Sequence, residues 1–100
     1  MIKAPYKLFF STLGNRTRLE ILFALRQKPK NVSQLTKELG CDQTTVSHNL
    51  QRLVKCSFVY FEKKGKERYY SINETTIHKI LKIIDHHTNM YCRHLIGKEE

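Results

Sequence analysis

The 100-residue sequence predicts a mainly α-helical domain with one small β-hairpin. Apolar residues with helical spacing over residues 42 to 55 predict a well-bounded helix whose other face is polar. A shorter helical pattern precedes it and ends at Gly40, and two aromatic and β-branched runs with strand periodicity follow it. The order of helix, tight turn, helix and hairpin is typical of a winged helix-turn-helix.

The central helix carries an unusual polar face. Asp42 is a good N-cap, and the apolar residues on one side of the helix are Val46, Leu50, Leu53 and Val54. Amide, hydroxyl and imidazole groups fill the other side, although they lower helix propensity. Their clustering therefore indicates contact with a partner that presents hydrogen-bond donors and acceptors, such as the edges of DNA bases. Two helices of an ordinary bundle are the alternative. The predicted base-reading residues are Gln43, Thr44, Ser47 and His48.

A cationic hairpin follows this helix. Strands are predicted at residues 58 to 62 and 67 to 72, with the segment 63 to 66, Lys-Lys-Gly-Lys, as the tip. A hairpin in this position is a wing that contacts phosphates, and a hairpin with a solvated tip is the alternative. The net charge of +9 favours a polyanionic partner. The predicted phosphate-binding residues are Arg18, Arg52, Lys63, Lys64, Lys66 and Arg68.

The longest helix is predicted at residues 75 to 95. Its apolar stripe has no evident partner if the preceding helices already form a core, so we predict that it joins the first helix in a homodimer interface. Packing of this stripe into the core of its own chain is the alternative. The predicted interface residues are Phe9, Leu13, Ile77, Ile80, Leu81, Ile84 and Tyr91.

We expect a single domain over residues 1 to 100, with the helix-turn-helix at about 32 to 55, the wing at 58 to 72 and the dimerisation helix at 75 to 95. The cysteines are widely spaced and form no Cys-x-x-Cys pair, which favours a reducing compartment. Without an apolar leader or a bilayer-spanning run, we expect a cytoplasmic protein with no membrane partner. No glycine-rich phosphate loop, nucleophile elbow or Ser/His/Asp set is evident, so we do not expect an enzyme.

Two segments resemble the ArsR/SmtB family of small winged helix-turn-helix repressors. Residues 13 to 22, LGNRTRLEIL, are similar to the family's LGDPTRLRIL, and residues 43 to 50, QTTVSHNL, are similar to its SQSTVSHHL run. The resemblance covers roughly residues 9 to 95 and implies a homodimeric repressor that binds operators in double-stranded DNA. A winged-helix module for protein interaction or RNA binding is the alternative. Ser57 stands where the family often has glycine, so we expect a left-handed residue there at a cost of about 1 kcal/mol.

The chain departs from the family at two sensor sites. Residues 31 to 36, NVSQLT, replace the family's thiolate sensor CVCDLC, so soft-metal sensing at that place is excluded. The last helix keeps Asp85 and His87 of an Asp-x-His metal pattern, but the second half of that pattern would fall at Lys98 and beyond the last residue. Cys92 follows Asp85 by seven residues and His94 follows His87 by seven, a spacing that places each pair on one side of a helix. No cofactor is expected unless Cys92 or His94 from the partner helix completes a site for zinc or a similar divalent ion. Residues at the rim of the interface are the alternative, and the effector stays unassigned.

Overall fold

The computed structural model describes residues 1 to 95 of the chain. Its first four helices are α1 (Ala4–Leu13), α2 (Arg16–Leu25), α3 (Val32–Leu39) and α4 (Gln43–Lys55). Strands β1 (Val59–Lys64) and β2 (Glu67–Ile72) follow, and then helix α5 (Ile77–His87) and a π-helical turn (Thr88–Cys92). Helices α3 and α4 form the helix-turn-helix and the two strands form the wing, so the predicted fold class is confirmed.

Local sequence explains where these helices begin and end. The Asn15 side chain accepts a hydrogen bond of 3.0 Å from the backbone N–H of Arg18 at the start of α2. Asn31 and Gln34 form a capping box at the start of α3. Gly40 ends α3 with a φ of 70°, and Ser57 after α4 has a φ of 59°. The left-handed conformation expected at Ser57 is therefore present.

The hairpin differs from its prediction in the position of the turn. Strand β1 continues through Lys64, whose partner in the antiparallel register is Glu67. The turn therefore consists of Gly65, with a φ of 64°, and Lys66. The prediction of a four-residue tip carrying all three lysines is wrong, because Lys63 belongs to the strand together with Lys64.

The core lies beneath α4 and the hairpin, and α5 helps to close it. Ile77 and Leu81 of α5 are each 2 % exposed, and Leu13 of α1 is 7 % exposed. These three residues were predicted at the dimer interface, but almost all of their surface is already buried within their own subunit, so all three are core residues. Leu13 and Leu81 also line the floor of an apolar groove. The other fully buried apolar residues include Ile21, Leu22, Leu35, Val46, Leu50, Leu53, Phe58 and Val59.

The last helix is not the continuous α-helix that its sequence pattern predicted. The π-helical turn at Thr88–Cys92 interrupts it, and α-helical residues 93 to 95 follow at the end of the described part of the chain. A π-turn adds one residue, which rotates the following side chains by about 100° relative to a regular α-helix. Residues on either side of this turn therefore do not share the face that a seven-residue spacing implied. No helix in the described part of the chain is long and apolar enough to cross a membrane.

Candidate nucleic-acid interface

Helix α4 begins at a charged cap. The Asp42 carboxylate accepts a hydrogen bond of 2.7 Å from the backbone N–H of Thr45. Hydrogen bonds from the hydroxyl and the backbone amide of Thr45 hold the pKa of Asp42 below its ordinary value. Because folding lowers this pKa, the stabilising effect of the charged cap is present at neutral pH and is lost as the pH falls through the lowered pKa.

One face of α4 is buried and the other is open. Val46, Leu50 and Leu53 are each at most 1 % exposed and fix the helix against the core. The structure thereby brings the four predicted base-reading residues together on the open face. It adds Gln51, which lies one helical turn after Ser47 and was not among the predicted readers, although its spacing from Ser47 is a signal for it. The open face is lined by Gln43, Thr44, Ser47, His48 and Gln51.

The lysines of the wing lie on two faces. Lys63 and Lys64 are neighbours in β1, so their side chains leave the strand in opposite directions. Lys63 is paired with Arg68 in the register, which places both on the face that also carries the buried Tyr70. Lys64 belongs to the other face, where its Nζ lies 5.6 Å from the centroid of the Tyr69 ring. Only Lys63 therefore shares a face with Arg68.

Arg68 lies between the wing and α4. Its guanidinium carbon is 4.6 Å from the centroid of the Phe61 ring, a distance that favours a cation–π contact. The Arg68 side chain lines one shallow surface pocket together with Gln51 and a second one together with Gln43 and Lys66. A cation restrained by an aromatic ring thus flanks the open face of α4, which suits a phosphate beside the bases that α4 would read.

Arg18 is placed differently from its prediction as a phosphate-binding residue. Its Nε donates to the carbonyl of Thr12 at 2.8 Å, and its Nη2 donates to the carbonyl of Ser11 at 3.1 Å. Its Nη1 donates to Oδ1 of Asn49 at 3.3 Å. All three nitrogens of Arg18 are therefore engaged within the chain. Arg52 donates from Nε to the Thr12 hydroxyl at 3.2 Å, and a phosphate contact by Arg52 stays a prediction.

An apolar groove lies where α1, α2 and α5 meet. Phe10 is 61 % exposed and Ile84 is 39 % exposed there, although both are large apolar side chains. Of the other predicted interface residues, Tyr91 is exposed and Phe9 and Ile80 are half-buried, and their role at an interface stays a prediction. The groove is lined mainly by Phe10, Leu13, Leu19, Phe23, Leu81 and Ile84.

The candidate metal ligands do not form a metal site within one subunit. The Asp85 carboxylate lies 2.8 Å from Nη2 of Arg26 of α2, so a cation of the chain already pairs with it. Cys92 is the last residue of the π-helical turn and His94 follows it, so the turn removes the common face that regular spacing implied. Within residues 1 to 95 of a single chain, no three His, Cys, Asp or Glu side chains are grouped to hold a metal ion. Lys98 lies outside the described residues.

Fold and surface together define the class of the protein. A helix with an uncharged polar face, preceded by a tight turn and flanked by a cationic hairpin, is the reading unit of a DNA-binding winged helix-turn-helix. The family model for bacterial regulatory proteins of the arsR family matches residues 15–60.

The chain belongs to the ArsR family and is a DNA-binding transcriptional regulator. It is 31 % identical over 77 residues to the arsenical resistance operon repressor of Bacillus subtilis, with 76 % of this chain and 73 % of that protein covered. It is 33 % identical over 69 residues to the transcriptional regulator NmtR of Mycobacterium tuberculosis, with 69 % of this chain and 58 % of that protein covered. The predicted resemblance to this family of repressors is confirmed.

Solved structures show the same architecture. A homodimeric winged helix-turn-helix domain of Mycobacterium bovis, a possible ArsR-family regulator, has a TM-score of 0.82 at 26 % identity, covering 90 % of this chain and 83 % of that chain. NolR of Sinorhizobium fredii has a TM-score of 0.76 at 26 % identity, covering 87 % of this chain and 84 % of that chain.

The open face of α4 predicts a specific effect of two substitutions. Gln43→Ala and Ser47→Ala should each weaken binding to the preferred duplex by about 1 to 3 kcal/mol and should change binding to random duplex little, because each removes a base contact. Fluorescence anisotropy on both duplexes and on single-base variants measures this. Asn89→Ala, which removes an exposed side-chain amide outside the helix-turn-helix and the wing, is the matched control. Equal weakening on both duplexes would show that α4 does not read bases.

The two faces of the wing predict different effects of its lysines. Neutralising Lys63 and Lys66 with glutamine should weaken binding to any duplex and should make the log–log salt slope shallower by about 0.9 per lost phosphate contact in each subunit. Lys63→Gln alone should also make the slope shallower, and Lys64→Gln, which removes the same single charge from the other face, should change the slope less than Lys63→Gln does. Titrations at several salt concentrations measure the slopes. An unchanged slope in the Lys63 and Lys66 variant would place these ammonium groups in solvent.

Proposed function

We propose that the chain acts as a homodimeric repressor that binds a roughly palindromic operator in double-stranded DNA. The observation that carries this proposal is the open face of α4, where uncharged polar side chains replace the glutamate and lysine usual on solvated helices. In this arrangement α4 enters the major groove and its polar residues contact base edges. Lys63, Lys66 and Arg68 hold the flanking phosphates and orient the helix.

A second copy of the chain is the partner proposed for the apolar groove between α1, α2 and α5. Exposure of Phe10 and Ile84 to water is energetically unfavourable, so burial by a partner would stabilise this surface. The homodimeric Mycobacterium bovis domain of the same fold also supports self-association. Two-fold symmetry then presents two α4 helices to successive major grooves, about 34 Å apart along the duplex. The inverted repeat of the operator follows from that symmetry.

Repression follows from occupancy of the operator, because a bound dimer excludes RNA polymerase from an overlapping promoter. The cytoplasm is the compartment we propose for this activity. An effector that binds at the dimer helices would regulate the protein by changing the separation of the two α4 helices. The pairing of Asp85 with Arg26 supports regulation without an inherited zinc site on α5.

The proposed dimer is tested with Ile84→Glu. This change places a carboxylate in the groove at a cost of several kcal/mol if the groove is buried by a partner, so the protein should shift toward monomer in sedimentation. In footprinting, the wild-type protein should protect two stretches a helical turn apart on a duplex selected from genomic fragments. The Ile84→Glu variant should lose most of its affinity for this duplex, because half of the contacts to the paired sites are lost.

Phe61→Glu is the control, because it adds the same charge at an aromatic residue of the wing whose exposure of 42 % is close to that of Ile84, and it should leave the sedimentation coefficient of the dimer unchanged. An intact Ile84→Glu dimer would place the interface elsewhere. Binding of RNA of the same sequence as tightly as duplex DNA would contradict the proposed operator function.

The absence of a zinc response is tested by equilibrium titration with a competing chelator. Zinc should bind no more tightly than micromolar, and the affinity for the selected duplex should be the same with and without zinc, because Arg26 neutralises Asp85 and a two-residue site cannot complete a tetrahedral shell. Asp85→Asn is the comparison variant, and its zinc affinity should equal that of the wild type. Tighter binding that is lost in Asp85→Asn and that alters duplex affinity would establish a zinc sensor.

A further inference from the structure

A polar junction joins α1 to the reading helix. At its centre lies Thr12 of α1, whose side chain is fully buried at 0 % exposure. A buried hydroxyl without partners is costly, and here it donates to the carbonyl of Leu8 at 2.7 Å and accepts from Nε of Arg52 of α4 at 3.2 Å. Valine has the same shape and would pack equally well. The hydroxyl of Thr12 is therefore explained by its hydrogen bond to α4.

Arg18 forms the second half of the junction. Its guanidinium binds the carbonyls of Ser11 and Thr12, which belong to the last turn of α1 and have no partner within that helix. A cation at the carboxyl end of a helix also interacts favourably with the helix dipole. From the same guanidinium, Nη1 donates to Oδ1 of Asn49 of α4. Arg18 therefore links the end of α1 to the middle of α4.

The α4 side of the junction is equally fixed. Nδ2 of Asn49 donates to the carbonyl of Thr45 at 2.9 Å, so the amide that receives Arg18 is itself held against the backbone of α4. Neither Arg18 nor Arg52 forms an ion pair with a carboxylate within residues 1 to 95. Their partners within these residues are carbonyl, hydroxyl and amide oxygens, which fix direction and distance more than they neutralise charge.

The junction connects the helices that carry two functional surfaces of the chain, the apolar groove and the open polar face of α4. Helix α1 contributes Phe10 to the apolar groove, and α4 carries the open polar face. In a two-fold dimer, the separation and tilt of the two α4 helices depend on how rigidly each α4 is held to the helices that contact the partner. A helix free to tilt would accept half-sites at several separations, whereas a helix fixed by directional hydrogen bonds would accept one.

We propose that Thr12, Arg18 and Asn49 are positioning residues that determine the half-site spacing the dimer accepts. This inference rests on the proposed operator-binding dimer. It assigns to α1 a role in specificity without contact to DNA, because the identity of the bases is read by α4 while the distance between the two reading sites is set through the junction. Loss of the junction should therefore relax spacing preference and leave base preference intact.

The experiment uses the full chain and duplexes built from the half-site that the wild type selects from random sequence. The two half-sites are placed at the selected spacing or with one or two base pairs added or removed, and a duplex with a single half-site is included. Each added base pair moves a half-site by about 3.4 Å and rotates it by about 35° around the duplex. Spacing discrimination is the ratio of affinities at the selected and altered spacings.

Thr12→Val removes the hydroxyl at constant shape and should reduce spacing discrimination by about tenfold, corresponding to about 1.4 kcal/mol. Its affinity for the single half-site and its discrimination against altered bases should match those of the wild type. Thr12→Ser keeps the hydroxyl and should keep the discrimination. Thr36→Val is the matched control, because the buried hydroxyl of Thr36 has no hydrogen-bond partner within the described residues, and it should behave as the wild type.

Arg18→Lys provides a second variant if Thr12→Val fails to fold, as judged by thermal unfolding. Lysine keeps the charge but cannot reach three acceptors with a planar fork, so spacing discrimination should again fall. Unchanged discrimination in a folded junction variant, or equal weakening at all spacings and on the single half-site, would overturn the positioning role. A wild type that binds the single half-site as tightly as the paired sites would instead refute the dimeric operator function, and with it the positioning role.

Discussion

Burial of one side of α4 is the constraint on which the reading surface depends. Val46, Leu50 and Leu53 are at most 1 % exposed, and burial of each such side chain contributes about 1.5 to 3 kcal/mol. Rotation of the helix about its axis would expose them, so the phase of α4 is fixed by the core. Because successive residues are about 100° apart, Ser47 and His48 must then turn outward. The polar face is open as a consequence of the packing behind it.

Features that depend on neighbouring residues were predicted well from the sequence. The cap at Asp42 and the helix end at Gly40 each follow from one residue and the backbone next to it, whereas the left-handed Ser57 was expected from the resemblance to the family. The turn of the hairpin was misplaced because lysine favours neither strand nor turn strongly. In the structure, the pairing of Lys64 with Glu67 puts opposite charges across the strands, which favours the shorter turn of Gly65 and Lys66.

Features that depend on distant partners were not predictable in the same way. The sequence pattern of α5 shows that the helix is amphipathic, but it does not show which surface the apolar face packs against. Ile77 and Leu81 cover the core of their own chain, and Ile84, further along the helix, lies at the groove. Arg18 was read as a surface cation, although its partner Asn49 lies 31 residues away along the chain. Such contacts are seen in the folded structure and not in the sequence pattern.

The net charge of +9 therefore overstates the number of cations that are free to contact DNA phosphates. Lys30 is 3 % exposed and its Nζ pairs with Glu38 at 2.6 Å. Arg26 pairs with Asp85, and the nitrogens of Arg18 bind oxygens of the chain. A cation that is held within the fold releases no counterion from DNA when the complex forms. The salt dependence of binding should thus follow the exposed cations of the wing and of α4, and the cations paired within the fold act by holding the helices that present them.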